Sequence, residues 1–355
     1  MNRARRDRAD PMTTGTDTTT AGTEDTPSPS RSGAARILGG RVQALGQGRW
    51  RAAGIVFPFL ILFVVLTIAS SSFATKANLL NILDQQSATL IIAAAGTLVL
   101  VSGGIDLSVG SIYGLSGVVA AELALHNWPA GLAVLVGVLV GFAAGLINGV
   151  VATYFRISAL IATLAMSFVL AGLGSLITQG NLLNLFTHQS FSDLTRTSIF
   201  TVDSSIWLAV VAVIALGLFL ARSTIGRYMY AAGGNPEAAR IAGVRVNVVK
   251  VISFSLSGAA AGLAGVIDAS RVLSAQSQDN SSLTFTVLAG IVVGGTSILG
   301  GEGAVWRTVV GVLFIALIGN GYDLLGLNPL YEQMTLGVLM ILAVGLDAWS
   351  RGRAA

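Results

Sequence analysis

From Ala52 onward the chain alternates long apolar stretches with short polar ones. About ten of the apolar stretches approach the roughly 20 residues that a bilayer crossing needs. They fall near residues 52–71, 80–101, 106–125, 130–153, 157–178, 205–221, 248–267, 284–299, 305–320 and 331–347. An even number of crossings returns the C-terminus to the side on which the N-terminus starts. Residues 1–50 show no apolar period and are rich in Thr, Ser, Gly, Pro and Arg, the composition of a disordered tail. The pattern predicts that tail followed by an all-α polytopic membrane domain over residues 51–350. One long polar island, residues 222–250, interrupts the apolar run and must lie in water.

Composition sharpens this picture. Of 355 residues, 53% are hydrophobic and 11% charged, against roughly 25% charged in an average soluble domain. The absence of Cys removes disulfides, thiolate metal sites and a cysteine nucleophile. Arg3, Arg5, Arg6 and Arg8 resemble the start of a signal peptide, but no apolar segment follows for about forty residues, so the tail is expected to be retained. With the N-terminus inside, 18 of the 21 Lys and Arg fall on the inner side and only Lys76, Arg196 and Arg271 on the outer side. That bias predicts cytoplasmic N- and C-termini and a cytoplasmic island. The formal net charge of +4 gives little support to nucleic-acid binding.

Within the island, Gly233, Gly234, Asn235 and Pro236 form a turn cluster. Asn235 is placed as an N-cap and Pro236 as the first helical residue. Glu237 in the first turn, Arg240 in the last and Gly243 just beyond match the helix macrodipole and the glycine preference past a helix end. So short a helix is unstable alone and is expected to dock.

Glycines punctuate the spans as well. Gly137, Gly141, Gly145 and Gly149 recur every four positions on one helix face, and Gly258 with Gly262 repeats the spacing, which predicts close helix packing. Two segments, VSGGIDLSVG from Val101 to Gly110 and GGTSILGGEG from Gly294 to Gly303, break the helical pattern in different halves of the chain. Such paired interruptions suggest a duplicated architecture with breaks near a transport path. Asp106 reads either as an N-cap of the next helix, assisted by Ser108, or as a path-lining or gating residue. Glu302 reads as an exposed turn residue.

Several chemistries are missing. A chain that spends ATP itself needs GxxxxGK[ST], and neither Lys76 nor Lys250 has that context. His126 and His188 fall in outer loops, so an enzyme is not expected. A proton- or sodium-coupled carrier would place ionisable groups well inside its spans, whereas Asp84, Asp106, Glu122, Asp268 and Asp347 fall near ends or breaks. A channel would not explain the docking helix.

Residues 103–110 (GGIDLSVG), Ile161-Ala162-Thr163-Leu164, the island from Gly226 to Gly243, and Gly294-Gly295-Thr296-Ser297 with Gly300-Gly301 occur in an order that resembles the permease subunits of bacterial ABC importers for monosaccharides of the ribose, xylose and galactose type. The resemblance runs from about Ala52 to Asp347. It implies a bacterial plasma-membrane subunit that dimerises, most simply as a homodimer, in the lipid bilayer. A separate cytoplasmic ATPase would use ATP and Mg, and an external sugar-binding protein would deliver the substrate; this chain would itself bind no cofactor. By that likeness Gly234, Asn235, Glu237, Ala238, Ala239, Arg240 and Gly243 form a coupling helix, with small Ala238 and Ala239 permitting close approach to the ATPase.

Asp106, Ser108, Asn148, Thr163 and Thr296, polar groups amid apolar spans, are candidate path residues. Gly103, Gly104, Gly110, Gly294, Gly295, Gly300 and Gly301 are candidate structural glycines. The sequence departs from the family pattern at Thr284 and Thr286, where an acidic pair is usual, and at Arg307, where glycine is usual. Alternative readings are an ABC permease for an amino acid or nucleoside, and a secondary carrier without an ATPase.

Overall fold

The computed structural model describes residues 54–277 and 281–352. The tail expected over residues 1–50 lies outside the described residues. The chain runs through α1 (Gly54–Ala69), α2 (Lys76–Gln85), α3 (Ser87–Val101), α4 (Val109–Leu125), α5 (Ala130–Tyr154) and α6 (Ala159–Thr178). A connector follows, with β1 (Leu183–Asn184), α7 (Gln189–Arg196), β2 (Ser198–Ile199) and β3 (Val202–Asp203). The second half comprises α8 (Ser204–Arg222), α9 (Thr224–Gly234), α10 (Pro236–Ile241), α11 (Val246–Val272), β4 (Ser274–Ala275), α12 (Ser281–Val293), α13 (Val305–Leu324) and α14 (Pro329–Gly352).

Each apolar stretch contains a helix among the described residues, but the ten are not equal crossings. Among the described residues, α5, α6, α8, α11 and α13 are long and apolar enough to cross a membrane, and α2 with α3, bent by 50°, makes a sixth span if the pair is counted as one. The bend falls at Gln86, inside the polar run Asp84-Gln85-Gln86-Ser87, where the sequence pattern suggests one straight span. The apolar helices α1, α4, α12 and the Leu330–Ala343 part of α14 are shorter. For α4 and α12 the reason is local: each borders a glycine-rich break that leaves the helix. The fold is mostly helical, and the strands are two-residue pairs. β1 pairs antiparallel with β4 (Leu183↔Ala275) and β2 with β3 (Ile199↔Val202).

All fifteen residues of α3 are buried. This helix lies at the centre, packed against α8, α11, α12 and α13. The outer helices turn apolar side chains outward instead: Ile68 is 82% exposed, Leu176 76% and Ile341 74%. That is the pattern of a bundle solvated by lipid, where packing between helices rests on small residues and interhelical hydrogen bonds rather than on burial from water. Thr97 on α3 and Thr308 on α13 share a 2.7 Å hydroxyl bond, and Asn78 and Asn320 join α2 to α13 through two 3.0 Å amide bonds. At the far end of α11, Arg271 reaches Asp268 at 2.7 Å and Asp84 at 3.7 Å, while Tyr113 donates to Asp268, so α2, α4 and α11 are tied together.

The glycine ladders meet each other. A Cβ at Gly141 would stand 2.8 Å from the Cα of Gly262, and one at Gly145 would stand 3.0 Å from the Cα of Gly258. The backbones of α5 and α11 therefore touch along the seam that the spacing predicts. Gly172 on α6 has nothing within 4 Å of such a Cβ and serves as a control. Gly145→Ala should lower the thermal midpoint of the detergent-purified protein, at a cost of about 1–3 kcal/mol for overpacking. Gly172→Ala should leave the midpoint unchanged or raise it. Equal midpoints for the two variants would contradict the seam.

Candidate functional site: two helix breaks and an exposed helix

A helix leaves its first N–H groups without intrahelical partners, and inside an apolar bundle they find no water. The start of α4 is in that position. Three N–H groups at and just before that start are received by side chains from three places. The Leu107 N–H reaches Thr163 Oγ1 on α6 (3.0 Å), the Ser108 N–H reaches Asp106 Oδ1 (3.0 Å), and the Gly110 N–H reaches Thr284 Oγ1 on α12 (3.1 Å). Ser108 is thus the cap residue and Asp106 the acceptor for its N–H.

Asp106 is buried and accepts two further bonds. Ser108 Oγ donates to Oδ1 at 2.6 Å and Ser257 Oγ on α11 to Oδ2 at 3.1 Å, while Asn148 Nδ2 on α5 donates to Ser108 Oγ at 2.7 Å. A carboxylate here also meets the positive end of the α4 dipole. Asp106, Ser108 and Asn148, with Thr163 beside them, form one polar knot joining α4, α5, α6 and α11. Thr296 lies apart, in the second break, where its buried hydroxyl has no hydrogen-bond partner among the described residues.

The second break runs between α12 and α13. The Ser297 N–H bonds to the Glu302 carbonyl (2.9 Å) and closes the loop, and Glu302 is exposed. Gly300 (φ +91°) and Gly301 (φ +76°) occupy left-handed backbone that a side chain would strain. They also sit where no side chain fits. A Cβ on Gly300 would lie 2.9 Å from the Cα of Gly103, one on Gly301 2.7 Å from the Cα of Gly234, and one on Gly233 2.6 Å from the nitrogen of Gly301. The Gly301 N–H donates to the Val101 carbonyl at 2.9 Å. Both breaks and the end of α9 thus meet backbone to backbone at one junction.

The other structural glycines pack locally. Gly104 faces the ring of Phe254, where a Cβ would lie 2.9 Å from Cε2; Gly294 lies against Thr308 and Gly295 near Arg307. Gly110 carries the N–H that Thr284 receives. Beside the junction, the Tyr230 hydroxyl on α9 donates to the Gly303 carbonyl at 2.8 Å. Burial pushes the Tyr230 phenol up, with Arg307 opposing in smaller measure, so the group remains a donor at neutral pH.

The junction adjoins α10. Asn235 Oδ1 accepts from the N–H groups of Glu237 (3.1 Å) and Ala238 (2.9 Å), and Pro236 opens the helix. Glu237 and Arg240 pair at 3.1 Å on the surface, and Gly243 follows at φ +85°. Ala239 is buried among Met229, Ala232, Val246 and Val249, which docks α10 onto α9 and α11. Glu237, Ala238 and Arg240 face outward with Ile241, which is 83% exposed. Of the two alanines expected to admit a close partner, only Ala238 is turned outward.

Sequence reasoning missed Ser257, Tyr230 and the capping role of Thr284. A serine one turn from Ser253 on a small-residue helix was the available signal for Ser257, since Ser253 itself bonds Ser102 at 2.9 Å at the end of α3.

Residues 78–344 match a family described as branched-chain amino acid transport system / permease component. The ribose import permease protein RbsC of Escherichia coli is 37% identical over 291 residues, 81% of this chain and 91% of that protein. RbsC of Bacillus subtilis is 37% identical over 294 residues, 82% of this chain and 91% of its own length. The L-arabinose ABC transporter permease protein AraH of Azospirillum brasilense is 36% identical over 330 residues, 92% of this chain and 95% of that protein. No solved structure matches the chain. The match encloses both breaks, the glycine junction and the exposed helix, and the chain belongs to this family of transport-system permease components.

Proposed function

We propose that the chain is the membrane-spanning permease subunit of an ATP-binding-cassette importer that carries a monosaccharide, a pentose, hexose or related polyol, across the bacterial plasma membrane. A separate cytoplasmic ATPase supplies the drive with ATP and Mg, an external binding protein delivers the sugar, and a second copy of the permease completes the pore in the lipid bilayer. Ten helices cross or enter the membrane, with both termini in the cytoplasm. The basic residues Arg222, Arg227, Arg240 and Arg245 around α10 support that orientation.

The observation that carries this reading is α10 itself. It is a six-residue helix, closed by its own caps and anchored through Ala239, whose outward face is left to a partner. Sugar is favoured as the substrate because relatives named for ribose and L-arabinose match more than four fifths of the chain. The family description, worded for branched-chain amino acids, supports a second reading in which the substrate is an amino acid. The polar knot around Asp106 lines the path as the breaks part, with Thr163 beside it and Thr296 in the second break.

The test is uptake into vesicles holding this chain, its ATPase and its binding protein. Labelled ribose, arabinose, xylose, galactose and leucine are offered with internal ATP or with an imposed proton gradient. ATP-dependent sugar uptake is expected; leucine uptake would move the substrate to amino acids, and gradient-driven uptake without ATP would overturn the importer. At the docking helix, Glu237→Lys should abolish co-purification of the ATPase while the chain still inserts. Asn235→Ala removes a cap worth about 1 kcal/mol and should weaken the same association several-fold. Unaltered ATPase binding in both variants would remove α10 from the interface.

A further inference from the structure

The junction does more than fill space. Gly233 and Gly234 end α9 immediately before α10, Gly103 opens the first break, and Gly300 and Gly301 lie in the second. Side chains can change rotamer and absorb a displacement, but backbone touching backbone has no such slack. Three hydrogen bonds or polar contacts fasten the same place: Gly301 N–H to the Val101 carbonyl (2.9 Å), Tyr230 hydroxyl to the Gly303 carbonyl (2.8 Å), and Lys250 Nζ against the Gly103 carbonyl (3.5 Å). They tie α9 and α11, the two helices flanking α10, to both breaks.

We propose that this junction is the transmission between the ATPase and the path: Tyr230, Gly233, Gly301 and Gly103 are positioning residues that oblige the two breaks to move together when α10 is displaced. The inference rests on α10 being the ATPase-docking helix and says what lies beyond it. From Gly103 the chain reaches Asp106 within three residues, and Asp106 is held by Ser257 on α11. A shift entering at α10 therefore arrives at the polar knot from two sides, through the first break and through α11. The second break receives it at Gly301 and Gly303, at the head of α13. One input thus acts on both halves of the chain.

The experiment measures sugar taken up per ATP hydrolysed, with labelled ribose and arabinose, in vesicles holding the full chain, its ATPase and its binding protein. Tyr230→Phe deletes one hydrogen bond and keeps the ring, so the chain should fold and retain its ATPase. Hydrolysis should continue while uptake per ATP falls about two- to tenfold, the range set by the loss of one net hydrogen bond. Gly301→Ala, which adds a Cβ at positive φ against Gly234, should lower the ratio further. Gly172→Ala should leave it unchanged. Should Gly301→Ala fail to assemble, Tyr230→Phe alone decides.

A purely structural junction would change the amount of assembled protein and leave the ratio intact. A wild-type ratio in assembled Tyr230→Phe would overturn the transmission. Wild-type vesicles in which no ATPase associates would remove the docking reading, and the transmission with it.

Discussion

A polar backbone group inside an apolar bundle must find a partner within the protein, because neither lipid nor neighbouring hydrocarbon can supply one. Two helical paths stop inside this molecule, after Val101 and after Val293, and each stop leaves such groups behind. Much of the polar chemistry in the interior follows from satisfying them. Thr163, Asp106 and Thr284 receive the N–H groups at the start of α4, and the Val101 carbonyl receives the Gly301 N–H. Since the partners come from α6, α12 and the opposite break, pairing these groups also fixes how the two halves of the chain lie against each other.

Glycine answers a different demand in two different ways. Along α5 and α11 it is helical, repeats every four residues and lets two long rods meet over several turns. At the junction it occupies a helix end and two breaks, with Gly300 and Gly301 in left-handed conformation and touching the backbone of Gly103 and Gly234. The seam is long and uniform, so a sliding displacement would have to break many contacts at once. The junction is a compact contact of backbone on backbone between the end of α9 and the two breaks, with no side chain to take up a displacement. The same residue type thus builds a long seam and, next to it, a stiff point of contact between the breaks.

Much of this was readable in the residues because the signals are local. The cap formed by Asn235, the opening Pro236, the Glu237–Arg240 pair and the trailing Gly243 depend on spacing within one short helix, and they appear where the sequence places them. The glycine seam was legible for the same reason. The bend at Gln86 was not, since the polar run there falls within an otherwise acceptable apolar span. The inward turn of Ala239 depends on where α9 and α11 lie, which no pattern within α10 encodes. Thr284 reads from the sequence as a departure from an acidic family position. Its hydrogen bond to the Gly110 N–H is a contact across 174 residues, and only the folded chain reveals it.

The paired state of the carboxylates at the helix ends and the first break bears on where the energy for transport comes from. Asp106 accepts three hydrogen bonds at a helix N-terminus, Asp268 is held by Arg271 and Tyr113, and Asp84 by Ser205 and Arg271. A proton relay needs groups that exchange their partners cheaply, because a charge left alone in this medium is costly. Here each carboxylate is committed to tying helices together, and releasing one would loosen an end or a break. The arrangement suits a permease whose conformation is set by an outside partner. What such a partner would require is an exposed handle with a short, stiff connection to the interior, and that is the role proposed for α10 and the glycine junction.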